Sequence, residues 1–315
     1  MGHSSAERPG DRPVQTAAGR PGSDGSFASR SYALHAKEAE ELAGRLPSII
    51  CDPDSMDAFF HRRCYGMIGP IAKRWNAEAW LTVGDMGADA FYLRQCGVRN
   101  VTCSSLSDAQ IKHVAALGHL PGISVAAVNG EATGLADLSV DFVLVKEALH
   151  HFPRPMFAFY ELWRIARHGL VLIEPTDGPP RLLDGLRKIV KLLLRGQSFA
   201  SQEFECTGNF LYRLSTSEIY KALAAMQGGG LAYRRFNQFY VARLVTGKSR
   251  FWRRSAFYLG VAIQNMLCAV RLMTPGLVAC YVSKMPFSPS ERSALKQAGY
   301  QVVDIPANPY LARAT

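Results

Sequence analysis

Asp141-Phe-Val-Leu-Val145, running directly into Lys146-Glu147-Ala-Leu-His150-His151-Phe152, is the stretch that decides the fold. After Asp141 the strand candidate is continuously apolar, the signature of a strand buried on both faces of a parallel sheet. Working outward, Pro155 to Ala166 reads as a helix with proline in its first turn, and Gly169-Leu-Val-Leu-Ile173 as the next strand. Upstream lie Trp80-Leu-Thr-Val83, Asn100-Val-Thr-Cys-Ser104 and Ile123-Ser-Val-Ala-Ala-Val128, all short and apolar. Between them, Asp89 to Cys96 forms a helix stopped by Gly97, and Ser107-Asp108 caps another that runs to Gly118. Strands alternating with short helices predict an α/β fold around a parallel sheet, over residues 77–175.

The flanks read differently. Residues 1–31 are rich in Gly, Pro, Ser and Arg, lack an apolar leader, and are expected to be a disordered tail. Residues 32–76 are expected to be a helical segment, with Ala36-Lys-Glu-Ala-Glu-Glu-Leu-Ala43 a good helix former and a second helix from Met56 to Trp75. Residues 176–275 are expected to cover the core as an acceptor lid, with helices over Arg181–Arg195 and from Ser215 to Met226, and one or two strands in Leu231–Leu244. Residues 276–315 read as strand, helix and strand: Leu277–Ser283, Ser288 to Gly299, and Gln301–Ile305.

The 315 residues are 48% hydrophobic and 20% charged, enough apolar material for a large buried core. The net charge of +10 is spread over short stretches such as Arg62-Arg63 and Arg250-Phe-Trp-Arg253-Arg254, with no long basic run, so no nucleic-acid partner is expected. Seven cysteines without a C-x-x-C pair exclude a disulfide framework and a zinc site, and no metal is expected. They fit a reducing compartment, so a cytoplasmic location is expected. Ala256 to Val270 is apolar but broken by Gln264 and Asn265, and it reaches Arg271 before it could span a bilayer. A buried or groove-lining helix is the expected reading, with peripheral contact at a membrane surface as its rival.

Ligands of open α/β sheets bind at the carboxyl ends of the strands. Four segments converge there: Gly84-Asp85-Met86-Gly87-Ala88-Asp89, Asn129-Gly-Glu131-Ala132, Lys146-Glu147 with His150-His151, and Glu174-Pro175. Gly84 and Gly87 let the backbone come close to a ligand. Glu131 is a candidate acceptor for an adenine amino group, and Lys146 and Glu147 are an ion pair or a clamp on an amino-acid moiety. Glu203 and Glu205, near Gly208-Asn209, are candidate walls of an acceptor pocket.

The runs Trp80–Asp85, Val143–Pro155, Glu161–Arg167 and Val171–Pro175 together resemble class I methyltransferases, closest to the bacterial methyltransferase type 11-like group, whose members often work on surface glycans or secondary metabolites. The resemblance implies a Rossmann-like, seven-stranded sheet and S-adenosylmethionine (SAM) as cofactor, held by Gly84, Asp85, Gly87, Ser105, Glu131, Ala132, Lys146 and Glu147. Two positions depart from the group. Thr82 stands where an acid normally precedes the glycine loop, and Ser105 stands where a strand-two carboxylate normally takes the ribose hydroxyls. A serine in that place forfeits about 1–3 kcal/mol, or about ten- to a hundredfold in affinity.

The expected reaction is methyl transfer to a small molecule or glycan precursor at oxygen. A hydroxyl acceptor needs a base, and His151 and His150 at the crevice mouth are the candidates, since imidazole titrates near neutrality. The rival reading is a methyltransferase fold that has lost catalysis and serves as a binding or scaffold subunit. A nicotinamide dinucleotide enzyme would need G-x-G-x-x-G after the first strand, which is absent.

Overall fold

The computed structural model describes residues 26–42, 52–74 and 79–310, apart from short breaks at 108, 117, 119–120, 180, 196–197, 199–201, 206–207, 240 and 242–246. Eight strands form one sheet: β1 (Ala79–Val83), β2 (Asn100–Ser105), β3 (Ile123–Ala127), β4 (Val140–Lys146), β5 (Ala166–Pro175), β6 (Gly230–Phe236), β7 (Leu277–Ser283) and β8 (Gln301–Asp304). Their order is β3-β2-β1-β4-β5-β7-β6-β8. The first five run parallel, while β7 is antiparallel to both β5 and β6. The sheet therefore has one strand more than the expected seven: β8, which pairs antiparallel with β6 at the edge through Gly230 to Tyr233.

The apolar runs of the parallel strands are buried on both sides, which is why they show no polar alternation. On one face Trp80, Phe142, Leu144, Ile173 and Tyr281 pack against α2 (Met56–Arg74) and α3 (Ala88–Gln95), with Trp80 stacked on Phe142 at 4.8 Å between centroids. On the other, Leu81, Val143, Val145, Leu172 and Val282 pack against α5 (Pro155–Ile165) and α7 (Thr216–Met226). Each such side chain contributes about 1.5–3 kcal/mol by leaving water. The Ser215 cap expected for α7 forms a full capping box with Glu218. A second capping box, Ser288 with Glu291, starts α9 (Pro289–Gln297).

The N-terminal boundary moves. Helix α1 (Ser26–Leu42) begins at Ser26, six residues inside the stretch expected to be tail, and the rest of that stretch lies outside the described residues. Its inward stripe is Ala28, Ser31, Tyr32 and His35, at helical spacing, with Ala28 and Ser31 buried. Small residues make that stripe, so composition hides it. Helix α4 (Ala109–Ala116) lies between β2 and β3. Residues 176–275, expected to be a lid, contribute α6 (Leu182–Arg195) and α8 (Phe251–Ala269), the latter anchored by Phe257 and Val261 on Met56 and Phe60 of α2. Of the strands expected in 231–244, only β6 is present among the described residues, and part of that span lies outside them. No helix among the described residues is long and apolar enough to cross a membrane.

Candidate active site

A crevice of about 520 Å³ opens where the strand order reverses, at the carboxyl ends of β1 and β4. That size suits a nucleotide-like cofactor. Its floor comes from the strand tips: Val83, Gly84 and Met86 after β1, Ser105 and Leu106 after β2, and Val128 and Gly130 after β3. Glu147, Ala148, His151 and Phe152 follow β4. Two glycines are required by close approach. At Gly84, where φ is +70°, a Cβ would sit 2.5 Å from the Ala148 Cβ, and at Gly130 it would sit 2.8 Å from the Phe152 ring. Both glycines are therefore needed for the loops after β1 and β3 to pack against the loop after β4, which sets the shape of the crevice floor.

Of the residues expected to hold a cofactor, Gly84, Ser105 and Glu147 line the crevice; Asp85, Gly87, Glu131, Ala132 and Lys146 stand behind its wall. Asp85 is turned inward. Its carboxylate accepts the N–H groups of Gly87 (2.8 Å), Asp89 (3.0 Å) and Ala90 (2.8 Å), and the Thr82 hydroxyl (2.7 Å). It serves the unpaired donors at the start of α3, and Gly87 supplies the left-handed turn at that helix's N-cap. Burial and the neighbouring Asp89 push the Asp85 carboxyl up to about 6, although Thr82 and the N–H donors pull it down.

Glu131 is likewise consumed. The backbone N–H of Arg154 donates to it at 2.7 Å and the Arg154 Nε at 2.6 Å, tying the β3 loop to the start of α5. The carboxylate expected to meet an adenine is buried on Arg154, and Gly130 is the residue of that loop lining the crevice. Lys146 is buried with its Nζ 3.7 Å from Asp89 and 3.2 Å from Glu147. Burial pulls the ammonium down, but these two carboxylates outweigh it and hold the pKa above the ordinary lysine range. Glu147 itself, half exposed on the wall, sits at a left-handed φ of +49° and donates its N–H to the Ile173 carbonyl at 2.7 Å. A non-glycine residue held there stores strain of about 1–3 kcal/mol, a hallmark of functional loops.

The two histidines separate. His150 is buried and points away from the crevice, its Nδ1 2.7 Å from Glu174. Glu174, fully buried at the end of β5, also accepts the N–H groups of Ala148 and Leu149, and so pins the whole loop after β4. His151 packs on His150 with ring centroids 3.9 Å apart and faces the crevice. Its Nδ1 meets Glu205, and its backbone carbonyl accepts from Asn209. A carboxylate can only accept, so it fixes the neutral tautomer with the proton on Nδ1 and the lone pair on Nε2. Burial raises the Glu205 carboxyl, but His151, His35 and His150 outweigh burial and hold it below the usual range.

The α1 part of this wall carries no local signal in the sequence. Tyr32 and His35 reach the crevice from α1, and Asn209 bridges His35 Nε2 at 2.8 Å. Burial, with Glu131 next, pushes the Tyr32 phenol well up. Of the two lid glutamates, Glu205 lines the crevice; Glu203 pairs with Lys188 and, at 3.1 Å, with Arg213 on another face. His150, His151 and Glu205 each offer a ligand atom, all within 4.8 Å of one another, an arrangement open to a divalent ion as well as to the hydrogen bonds described.

Residues 82–173 match the family model described as a methyltransferase domain. No curated protein matches the sequence. Among solved structures the chain is similar to the [4+2]-cyclase SpnF, with 14% identity over 82% of this chain and 97% of that one and a TM-score of 0.50. It is also similar to the 1,6-didemethyltoxoflavin-N1-methyltransferase of Burkholderia thailandensis, with 14% identity, coverage of 87% and 94%, and a TM-score of 0.47. A third is a SAM-dependent methyltransferase of Methanosarcina mazei, with 14% identity, coverage of 68% and 94%, and a TM-score of 0.43. At 14% identity the likeness to SpnF speaks to the fold alone, and a fold hosts more than one reaction.

Proposed function

We propose that this chain, whose core is a class I methyltransferase domain with SAM as its cofactor, methylates a hydroxyl group of a small molecule or glycan precursor, with His151 as the base. The observation that carries the reading is the His151–Glu205 pair on the crevice wall, joining a strand-tip loop of the core to the lid. The residues present fit the cofactor in size and donor set: the crevice of about 520 Å³ at the strand tips is lined by Gly84 and Gly130, and Ser105 and Glu147 would hold the ribose and the amino-acid end.

When bound, the cofactor supplies an electrophilic methyl group on a good leaving group, so the protein's task is alignment and proton removal. His151 Nε2 would accept the proton of the acceptor hydroxyl. Glu205 stabilises the resulting imidazolium, and Asn209 and His35 fix the angle of the pair. Glu174 acts through His150 and the Ala148 and Leu149 N–H groups, holding the loop that presents His151. Tyr32 and His35 of α1 close the crevice from the side and exclude water.

One observation favours the rival reading of a non-catalytic binding or scaffold subunit: among the described residues, no carboxylate lines the β2 side of the crevice, where Ser105 stands. Turnover separates the two. Methyl-labelled SAM is incubated with the full chain and a panel of hydroxylated small molecules and sugar precursors, and S-adenosylhomocysteine release is read. Release that depends on acceptor and is abolished in His151→Ala supports catalysis. Cofactor binding without release across hydroxylated acceptors, while an amine acceptor is methylated, would overturn the oxygen assignment.

A further inference from the structure

Helices α6 and α8 flank an apolar groove of about 650 Å³, distinct from the crevice. Leu183, Leu186 and Val190 of α6 face Leu259, Ile263 and Leu267 across it. The groove is not a closed core. Leu193 and Leu194 at the end of α6 are 75% and 80% exposed, and Phe251 at the start of α8 is 87% exposed, with Trp252 half exposed beside it. Apolar residues recur along α6 at 182, 183, 186, 189, 190 and 193, and basic residues fill the intervening face.

Charge selects the partner. Residues 181–195 hold five basic residues and one acid, and residues 250–271 hold four arginines and no acid. The single acid, Asp184, is engaged inward by the N–H groups of Arg181 (3.2 Å) and Thr274 (3.1 Å). A second copy of this surface would set like charge against like. An apolar ridge with exposed aromatic residues, rimmed by Lys and Arg, is instead the pattern of a helix lying in the interface of an anionic membrane.

The groove also communicates with the crevice. Arg187, Gln264 and Met273 line both the groove and a smaller polar vestibule, and that vestibule ends on Glu147, which lines the crevice.

We propose that α6 and α8 form an interfacial platform that seats this protein on an anionic phospholipid bilayer, with their exposed apolar residues in the acyl boundary and the flanking Lys and Arg among the headgroups. The proposal is independent of methyl transfer. It is tested by flotation of the full chain with vesicles of phosphatidylcholine alone and of equal parts phosphatidylcholine and phosphatidylglycerol. The expected result is flotation with the mixed vesicles only, weakening as salt is added. The double variant Leu193→Glu, Leu194→Glu should lower partition by about tenfold or more. The charge variant Lys191→Glu, Arg250→Glu should do the same through the basic rim. Both should keep the wild-type melting midpoint and S-adenosylhomocysteine affinity, because neither pair touches the crevice. Failure of the wild type to float overturns the proposal, as does flotation unaffected by either double variant. So does a wild-type dimer that ignores vesicles and is split by Leu193→Glu, Leu194→Glu, since the surface would then belong to a second copy.

Discussion

The two walls of the crevice are built in opposite ways. The strand-tip wall, from Val83 to Phe152, is made of short loops whose positions follow from a parallel sheet and whose backbone does the shaping. The opposite wall brings together α1 and the Glu205–Leu211 segment, elements with no sheet to hold them, and is joined by side chains: Asn209 meets His35 across 174 residues of sequence. The first wall offers glycines, a serine, Glu147 and His151, and the second adds Tyr32, His35 and Glu205. Cofactor binding should therefore depend on the first wall, and proton handling on the contact between the two.

The largest expected effect breaks that division at its junction. His151→Ala should lower methyl transfer by about 10²–10⁴-fold, the usual worth of a general base, while S-adenosylhomocysteine affinity stays near the wild type by calorimetry. A parallel loss of affinity would mean that the two walls are not separable in this way.

Next is the floor beneath the strand tips. Lys146→Met leaves Asp89 buried against Tyr65 without its cation, and should cost about 3–5 kcal/mol of stability in urea unfolding. A change below about 1 kcal/mol would mean that the pair is solvated.

Ser105→Asp sharpens the contrast from the cofactor side. Restoring a carboxylate at the β2 tip should tighten S-adenosylhomocysteine by about tenfold or more, through about 1–3 kcal/mol of charge-assisted hydrogen bonding. Unchanged affinity would place the ribose elsewhere on the wall.

The smallest effect is a pH dependence. Because the Glu205 carboxyl is held below its usual range, its stabilising contribution is complete above the ordinary glutamate pKa of about 4.3 and is lost as pH falls through the lowered value. Glu205→Gln should therefore melt below the wild type near neutrality, and the gap should close in acid. With its carboxylate partner gone, the His151 imidazolium is also less favoured, so the acidic limb of the kcat/KM profile should move to lower pH. A gap that widens in acid would contradict the pairing. A chelator should leave turnover intact if hydrogen bonds, rather than a divalent ion, organise His150, His151 and Glu205.

These walls also differ in how far the sequence reveals them. Strands β1 to β5 are legible because burial on both faces forces continuous apolar runs, and the segments after them must meet at one edge. Where a carboxylate turns is a different matter. Asp85 and Glu131 stand in loops that frame the crevice, yet helix N-termini and Arg154 compete for them, and those donors win. The α1 stripe of Ala28, Ser31, Tyr32 and His35 has too little apolar character to stand out by periodicity. Glu205 was legible as a candidate and Glu203 equally so; only packing distinguishes the one facing His151 from the one facing Lys188. Strand β8 is legible as a strand, but its place as an eighth member of the sheet depends on a long-range pairing with β6.

The most direct test is calorimetric titration of the full chain with S-adenosylhomocysteine. Saturable binding in the micromolar range, retained in His151→Ala and tightened by Ser105→Asp, is the expected result. Folded protein that gives no heat up to millimolar ligand would contradict a cofactor role for the crevice and leave a methyltransferase fold serving as a binding or scaffold subunit.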